Sequence, residues 1–234
     1  MLDDELVGAN SVILENDGDT YACVLPDVWS GFSIITKENI YSAAHNVYTD
    51  IAAGTNIANP HPTSSVVING VAYYVDPTPS TSGPWHANGG KIPINALSDI
   101  GINFAHFEWL AQNLKDSTDV DGKKVIVLTS ATPPGGGCWN LFHFRDQDAQ
   151  GEDNGITLVV FNTPDEICLT GTSSGRQFGP SVLAPFSKVV LRKGAGFLDG
   201  TIVARKFSTM RVWGDFGDNL QVHGDAYDGQ VKCV

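Results

Sequence analysis

The sequence predicts an all-β chain wound as a parallel β-solenoid, with one amphipathic helix laid on its flank or end. Three observations predict it. First, Ser181-Val182-Leu183-Ala184 returns twenty residues later as Thr201-Ile202-Val203-Ala204. Each copy is a hydroxyl residue, two branched aliphatics and an alanine, closed by Pro185 in one case and Arg205 in the other. A strand needs only a few residues, so this recurrence leaves room for two more short strands and their corners, about one coil. Second, apolar runs recur throughout the second half. With Val125, Phe142, Val159, Val182, Ile202 and Val222 as markers the gaps are 17, 17, 23, 20 and 20. Third, charged residues make up only 17% of the chain while glycine reaches 25 copies, which suits many strands and turns better than a helical enzyme. Stacked coils set like positions over one another, so Val182 is expected directly over or under Ile202, with the small alanine where the coil narrows. The alternative for these residues is two unrelated buried strands of a sandwich.

At the N-terminal end, MLDDELVGANS is acidic and has no apolar h-region, so it does not read as a signal peptide. The chain is therefore expected to be a mature domain, with any anchor lying elsewhere, since no sorting tail closes it. No run reaches transmembrane length. Short strands follow at Ser11-Val12-Ile13-Leu14, Phe32-Ser33-Ile34-Ile35, Ile51-Ala52-Ala53 and Ser65-Val66-Val67-Ile68. The gaps between Val12, Ile34, Ile51 and Val66 are 22, 17 and 15, as irregular as corners with insertions would make them. Asn16-Asp17-Gly18-Asp19, Pro26-Asp27, Gly54 and Asn59-Pro60-His61-Pro62 supply the turns.

Residues 76–96 hold Pro77, Pro79, Pro84, Pro93 and Gly89-Gly90 and read as a long irregular loop. Trp85 and His86 within it read as an aromatic pin against the body, with a ligand-contacting tip as the alternative. A helix is expected over residues 103–115. Asn103 can cap it, and Phe104, Phe107, Leu110, Ala111 and Leu114 form one apolar stripe opposite Glu108, Gln112 and Lys115. Asp116-Ser117-Thr118-Asp119 ends it. Strands resume at Val125-Leu128, Leu141-Phe144 and Leu158-Phe161 and continue to Leu220-His223.

Part of this pattern resembles a known family. The Leu183-Ala184-Pro185 run, the Gly196…Asp199-Gly200…Val203-Ala204 spacing and the Val160-Phe161-Asn162-Thr163-Pro164-Asp165 segment resemble the choice-of-anchor A domain family. Asp50-Ile51-Ala52-Ala53-Gly54 is similar to its I-A-V-G-G signature, from which Ala53 and Thr55 depart. The resemblance covers most of residues 10–225 and is strongest after residue 158. It implies a secreted or cell-surface β-solenoid with a helical segment near residue 105 and no established catalysis.

A net charge of −12 argues against nucleic acid and anionic membrane as partners, because both would repel the chain. Cys23, Cys138, Cys168 and Cys233 are even in number and contain no C-x-x-C pair, so zinc spacing is absent. Two disulfides are expected outside the cell, in any of three pairings, with four buried thiols as the alternative.

Three constellations carry possible chemistry. Gly31–Thr36 followed by Tyr41-Ser42-Ala43-Ala44-His45 resembles the histidine segment of chymotrypsin-like proteases, with Asp99 and Ser173 completing the order His, Asp, Ser. Against it stand Ser174 in place of the glycine after the nucleophile, the Arg176-Gln177-Phe178 interruption, and the placing of Asp99 in a turn before a helix. Gly171-Thr172-Ser173-Ser174-Gly175 fits a nucleophile elbow, but Gly175, Gly179 and Pro180 forbid the helix that must follow. Acidic residues cluster at Asp146, Asp148, Glu152 and Asp153, and again at Asp215, Asp218, Asp225 and Asp228. Paired carboxylates suit polysaccharide cleavage and oxygen-rich loops suit Ca2+, but solvated corners explain them most economically. Thr36, Thr49, Thr157 and Thr201 keep no common phase, which argues against an ice-binding face.

The expectation is thus a single domain, residues 1–234, acting as a non-enzymatic extracellular structural or adhesive module. It carries no required cofactor, with Ca2+ at Asp215, Asp218, Asp225 and Asp228 as the weak option. Its partners are itself, other surface or matrix proteins, or glycans, without nucleic acid or membrane insertion. The alternatives are a serine protease using His45, Asp99 and Ser173, or a solenoid that binds or cleaves polysaccharide.

Overall fold

The computed structural model describes residues 13–16, 19–41, 46–47, 50–58, 72–75, 91–94, 97–140, 144, 155–171, 177–178, 180–192, 197–209, 221–222 and 226–234. In chain order the elements are β1 (Ile13–Asn16), β2 (Asp19–Ala22), α1 (Val28–Gly31), β3 (Phe32–Thr36), β4 (Asn39–Tyr41) and β5 (Asn46–Val47). Then come β6 (Asp50–Ala53), β7 (Asn56–Ala58), β8 (Ala72–Val75), β9 (Lys91–Ile94), a 3₁₀ turn (Leu97–Ile100) and α2 (Phe104–Asn113). The rest is β10 (Ser117–Thr118), β11 (Lys124–Leu128), β12 (Trp139–Asn140), β13 (Thr157–Phe161), β14 (Ile167–Thr170) and β15 (Gln177–Phe178). The last four strands are β16 (Ser181–Leu191), β17 (Phe197–Leu198), β18 (Ile202–Ser208) and β19 (Gln221–Val222).

Most of these strands join one large, mostly parallel sheet of thirteen strands, beside a parallel sheet of four. They pair as three parallel ladders. The first runs β11-β13-β16-β18-β3-β6 and aligns Ile126, Val159, Val182, Ile202, Ile34 and Ile51 in one column. Val182 lies beside Ile202 in a parallel pair, as the repeat predicts. The second ladder takes the strand segments that follow those of the first, aligning Ile167, Val189, Phe207, Ile40 and Ile57. The third aligns Phe178, Leu198, Val222 and Val47. Strands β16 and β18 each serve the first ladder with their opening residues and the second with their closing ones.

Pro185 does not end the strand that the sequence assigns to it. β16 runs through it, and the register with β18 shifts between Ala184 and Lys188. Proline cannot donate to a ladder, so it is accommodated where pairing lapses as the strand passes from one ladder to the next.

Two apolar layers explain why the central strands are continuous hydrophobic runs. One face of the first ladder points into the stack, where Val159, Val182, Ile202, Ile34 and Ile51 meet Ile167, Leu169, Val189, Phe207 and Ile40. Ala184, Ala204 and Ala53 sit in this same cluster. The opposite face, Leu158, Val160, Leu183, Val203, Ile35 and Ala52, packs with Phe104, Phe107, Leu110, Ala111 and Leu114 of the α2 region. A sheet covered on both faces needs apolar residues at consecutive positions. Each fully buried aliphatic contributes about 1.5–3 kcal/mol.

Helix α2 therefore lies on the flank rather than over an open end. Asn103 occupies the N-cap position in extended backbone without making a side-chain cap bond, and the helix stops at Asn113, two residues before the expected Lys115. Two further expectations change. Among the described residues β1 pairs only with β2, antiparallel, in a sheet of its own. Within the expected 76–96 loop, Lys91–Ile94 is a strand that pairs antiparallel with β8. Trp85, His86 and the strand expected at residues 65–68 lie outside the described residues, as does most of Leu141–Phe144.

The stacking order does not follow the chain. β3 and β6 dock on β18, so the N-terminal tiers continue the stack where the C-terminal ones stop. Helix α2 carries the chain from that side back towards β11. Lys37 beside β3 meets Phe104 and Glu108 in its first half, and Leu114, just past its end, bridges Cys233.

Candidate functional site

Because the order is broken, the segment before β3 and the segment after residue 226 meet beside β16 and β18 and must be joined there. The hydroxyls of the repeated motif do this. Ser181 Oγ accepts from the backbone N–H of Thr201 (3.1 Å) and of Tyr227 (2.9 Å). Thr201 Oγ1 lies 2.7 Å from the carbonyl oxygen of Phe32 and 3.2 Å from that of Trp29. Trp29 Nε1 donates to the carbonyl of Tyr227 at 3.0 Å. All of these side chains are buried, so the bonds are shielded from competition with water. Short α1 directs Trp29 inward, where its ring lies 6.1 Å from that of Phe107.

A disulfide closes the joint. Cys23 and Cys233 are bonded across 210 residues, with Cα atoms 6.0 Å apart. Cys23 also lines a cleft of about 350 Å³ whose walls include Leu25, Trp29, Tyr227 and Gln230. A second disulfide, Cys138–Cys168, ties the loop before β12 to β14, with Cα atoms 4.7 Å apart. One of the three pairings left open by the sequence is thus selected, and it belongs to an oxidising compartment.

Beyond the cleft, Asp119 organises the C-terminal segment. Its carboxylate accepts from the backbone N–H groups of Asp121 and Lys123, each at 2.9 Å, and of Gln230 at 3.2 Å. Burial raises its pKa, but these bonds and the charge of Lys123 outweigh that and hold it below the usual carboxylate value. Lys123 also pairs with Asp228, and the Tyr227 hydroxyl donates to the Gln230 carbonyl at 2.9 Å. Burial, then the charges of Asp119 and Asp228, push the Tyr227 phenol well above its ordinary pKa.

On the other side of the joint Glu38 bridges β18 to the N-terminal tiers. It meets Lys206 Nζ at 2.8 Å and Arg205 at 3.3 Å. The Lys206 hydrogen bond, opposed by partial burial and helped by Arg205, lowers its pKa. Its backbone N–H also donates to the Arg205 carbonyl at 2.9 Å.

Of the residues that the sequence singles out as catalytic or metal-binding, Asp99 and Asp228 fall among the described residues. His45, Ser173, Asp215, Asp218 and Asp225 lie outside them, as do Asp146, Asp148, Glu152 and Asp153. Asp99 falls in the 3₁₀ turn that precedes α2. Asp228 is exposed and paired with Lys123. No group of three or more His, Cys, Asp or Glu residues converges to hold a metal among the described residues. Nor is any helix there long and apolar enough to cross a membrane.

Sequence reasoning finds Ser181 and Thr201 as matching positions but not their role. The partners Trp29 and Tyr227 are 198 residues apart and leave no local signal. Comparison with protein-family models, curated proteins and solved structures finds no match to this chain.

Proposed function

We propose that this chain is a non-enzymatic, extracellular β-solenoid, a structural or adhesive module of a cell surface, matrix or appendage akin to the choice-of-anchor A domains. The three parallel ladders are read as three faces of one coil, repeated in tiers. The observation that carries the reading is the column Val159-Val182-Ile202-Ile34-Ile51, stacked in register and buried against the second ladder. A column of this kind is a rigid platform whose corners accept variable loops, which suits display rather than turnover. The two disulfides support service in an oxidising compartment, and the charge of −12 favours proteins or neutral glycans as partners over nucleic acid.

The test pairs a fluorophosphonate probe with a glycan array. A chain that stays unlabelled and leaves acidic polysaccharides uncut fits a scaffold, and glycan hits would specify an adhesive one. Labelling abolished by Ser173→Ala, or shortened polysaccharide products, would overturn the non-enzymatic assignment.

A further inference from the structure

We propose that the β18–β3 joint is a seat for exchange between two copies of this chain, latched by the Cys23–Cys233 disulfide. The inference deepens the self-associating scaffold proposed above and rests on it. Elsewhere in the first ladder, stacked residues are close along the chain: Val182 pairs with Ile202 and Ile34 with Ile51. At the joint the paired residues are Ile202 and Ile34, and the path between them runs through β6–β9, α2 and every later tier. Parting β18 from β3 therefore leaves the winding on both sides intact.

The two edges so exposed are complementary. β18 and β3 pair through Ile202–Ile34, Val203–Ile35 and Ala204–Thr36, and β18 and β4 through Phe207–Ile40 and Ser208–Tyr41. Each edge carries unpaired backbone groups and an apolar column, and such an edge seeks a strand of matching pattern. The best match for the β18 edge of one copy is the β3 edge of another. The ties from Thr201 to Phe32, from Trp29 to Tyr227 and from Glu38 to Arg205 and Lys206 would all re-form unchanged between copies. Exchange of this kind loses no contact except at its hinge, and high concentration favours it over closure on the same chain. The hinge is the link from the 3₁₀ turn through Gly101, whose φ of 78° already departs from helical backbone, into α2.

Cys23–Cys233 is the covalent tie across the joint. Cys23 is 1% exposed whereas Cys233 is only partly buried. An external dithiol would attack at Cys233, releasing Cys23 as the thiolate. The mixed disulfide is then resolved by the second thiol of the reagent, leaving two protein thiols and the oxidised dithiol. Reoxidation by a disulfide reagent reverses the two-electron step, within one chain or between two.

The experiment uses the full chain without substitution. Heavy-nitrogen-labelled and unlabelled protein are mixed, treated with dithiothreitol just below the denaturant midpoint, and reoxidised with glutathione disulfide at high protein concentration. Peptides are then mapped by mass spectrometry under non-reducing conditions. Exchange gives a dimer fraction in which Cys23–Cys233 peptide pairs combine one heavy and one light partner. Cys138–Cys168 pairs, closed within one body, stay uniformly heavy or light. Monomer alone, uniform Cys23–Cys233 pairs, or mixing at both disulfides would each overturn the exchange. Cys23 bonded to a cysteine other than Cys233 in the untreated protein would overturn the joint, and the scaffold reading with it.

Discussion

Gly54 has no room for a side chain: an added Cβ would overlap the backbone carbonyl oxygen of Lys37. Its own N–H donates to the Thr36 carbonyl at 3.0 Å, which fixes the corner of one tier on the next. Gly54→Ala should therefore cost roughly 1–3 kcal/mol, read as a lower denaturant midpoint. The opposite sign is expected nearby. Thr36 is fully buried between Ala204 and Ala53, and its Oγ1 has no hydrogen-bond partner among the described residues. Thr36→Val keeps the shape and removes the stranded hydroxyl, so the midpoint should rise by the equivalent of about 1 kcal/mol. Asp119 sets a pH dependence. Its carboxyl titrates lower in the folded chain than in the unfolded one, so its contribution is present above about pH 4 and is lost as acid takes the pH through the lower folded value. Acid titration followed by melting should show Asp119→Asn with a flatter pH dependence below pH 4 than the parent.

Among elements, the first ladder and α2 depend on one another. Val203 is fully buried on the face that α2 covers, with Leu183 on one side and Ile35 on the other. Val203→Asp places a carboxylate in that layer with no partner provided, and should unfold the C-terminal tiers. A variant that melts like the parent would show that the layer is not what holds them. This face was largely legible in the sequence. The three- and four-residue spacing from Phe104 to Leu114 marks a helical stripe, and Ser181-Val182-Leu183-Ala184 marks a strand hidden on both sides. The limits of β16 were not legible, because Pro185 reads as a terminator until the lapse in pairing beside it is known. Strand β12 at Trp139-Asn140 was also missed: two residues after a glycine-rich run carry no periodicity, and only the pairing with Leu169 and Thr170 defines it.

For the whole molecule, the six parallel strands of the first ladder span five steps of about 4.8 Å, about 24 Å, and β10 at one end and β8 and β9 at the other extend the same sheet. The two disulfides act on different scales. Chain entropy assigns about 5 kcal/mol to a closure of 210 residues and about 3.5 kcal/mol to one of 30. Replacing Cys23 and Cys233 together by Ser should accordingly lower the melting temperature more than replacing Cys138 and Cys168. Neither the pairing nor the joint was legible beforehand, since both depend on where segments far apart in the chain meet. Repeat spacing reports which segments are alike and says nothing about which one neighbours the last.

The broken order also bears on how the protein is made. Phe32 leaves the ribosome 169 residues ahead of Thr201, the residue whose hydroxyl meets its carbonyl. At about 5–20 residues per second that is a wait of roughly ten to thirty seconds. Throughout it, β3 can pair with β6 and pack on α2, but its other edge stays open until β18 is made.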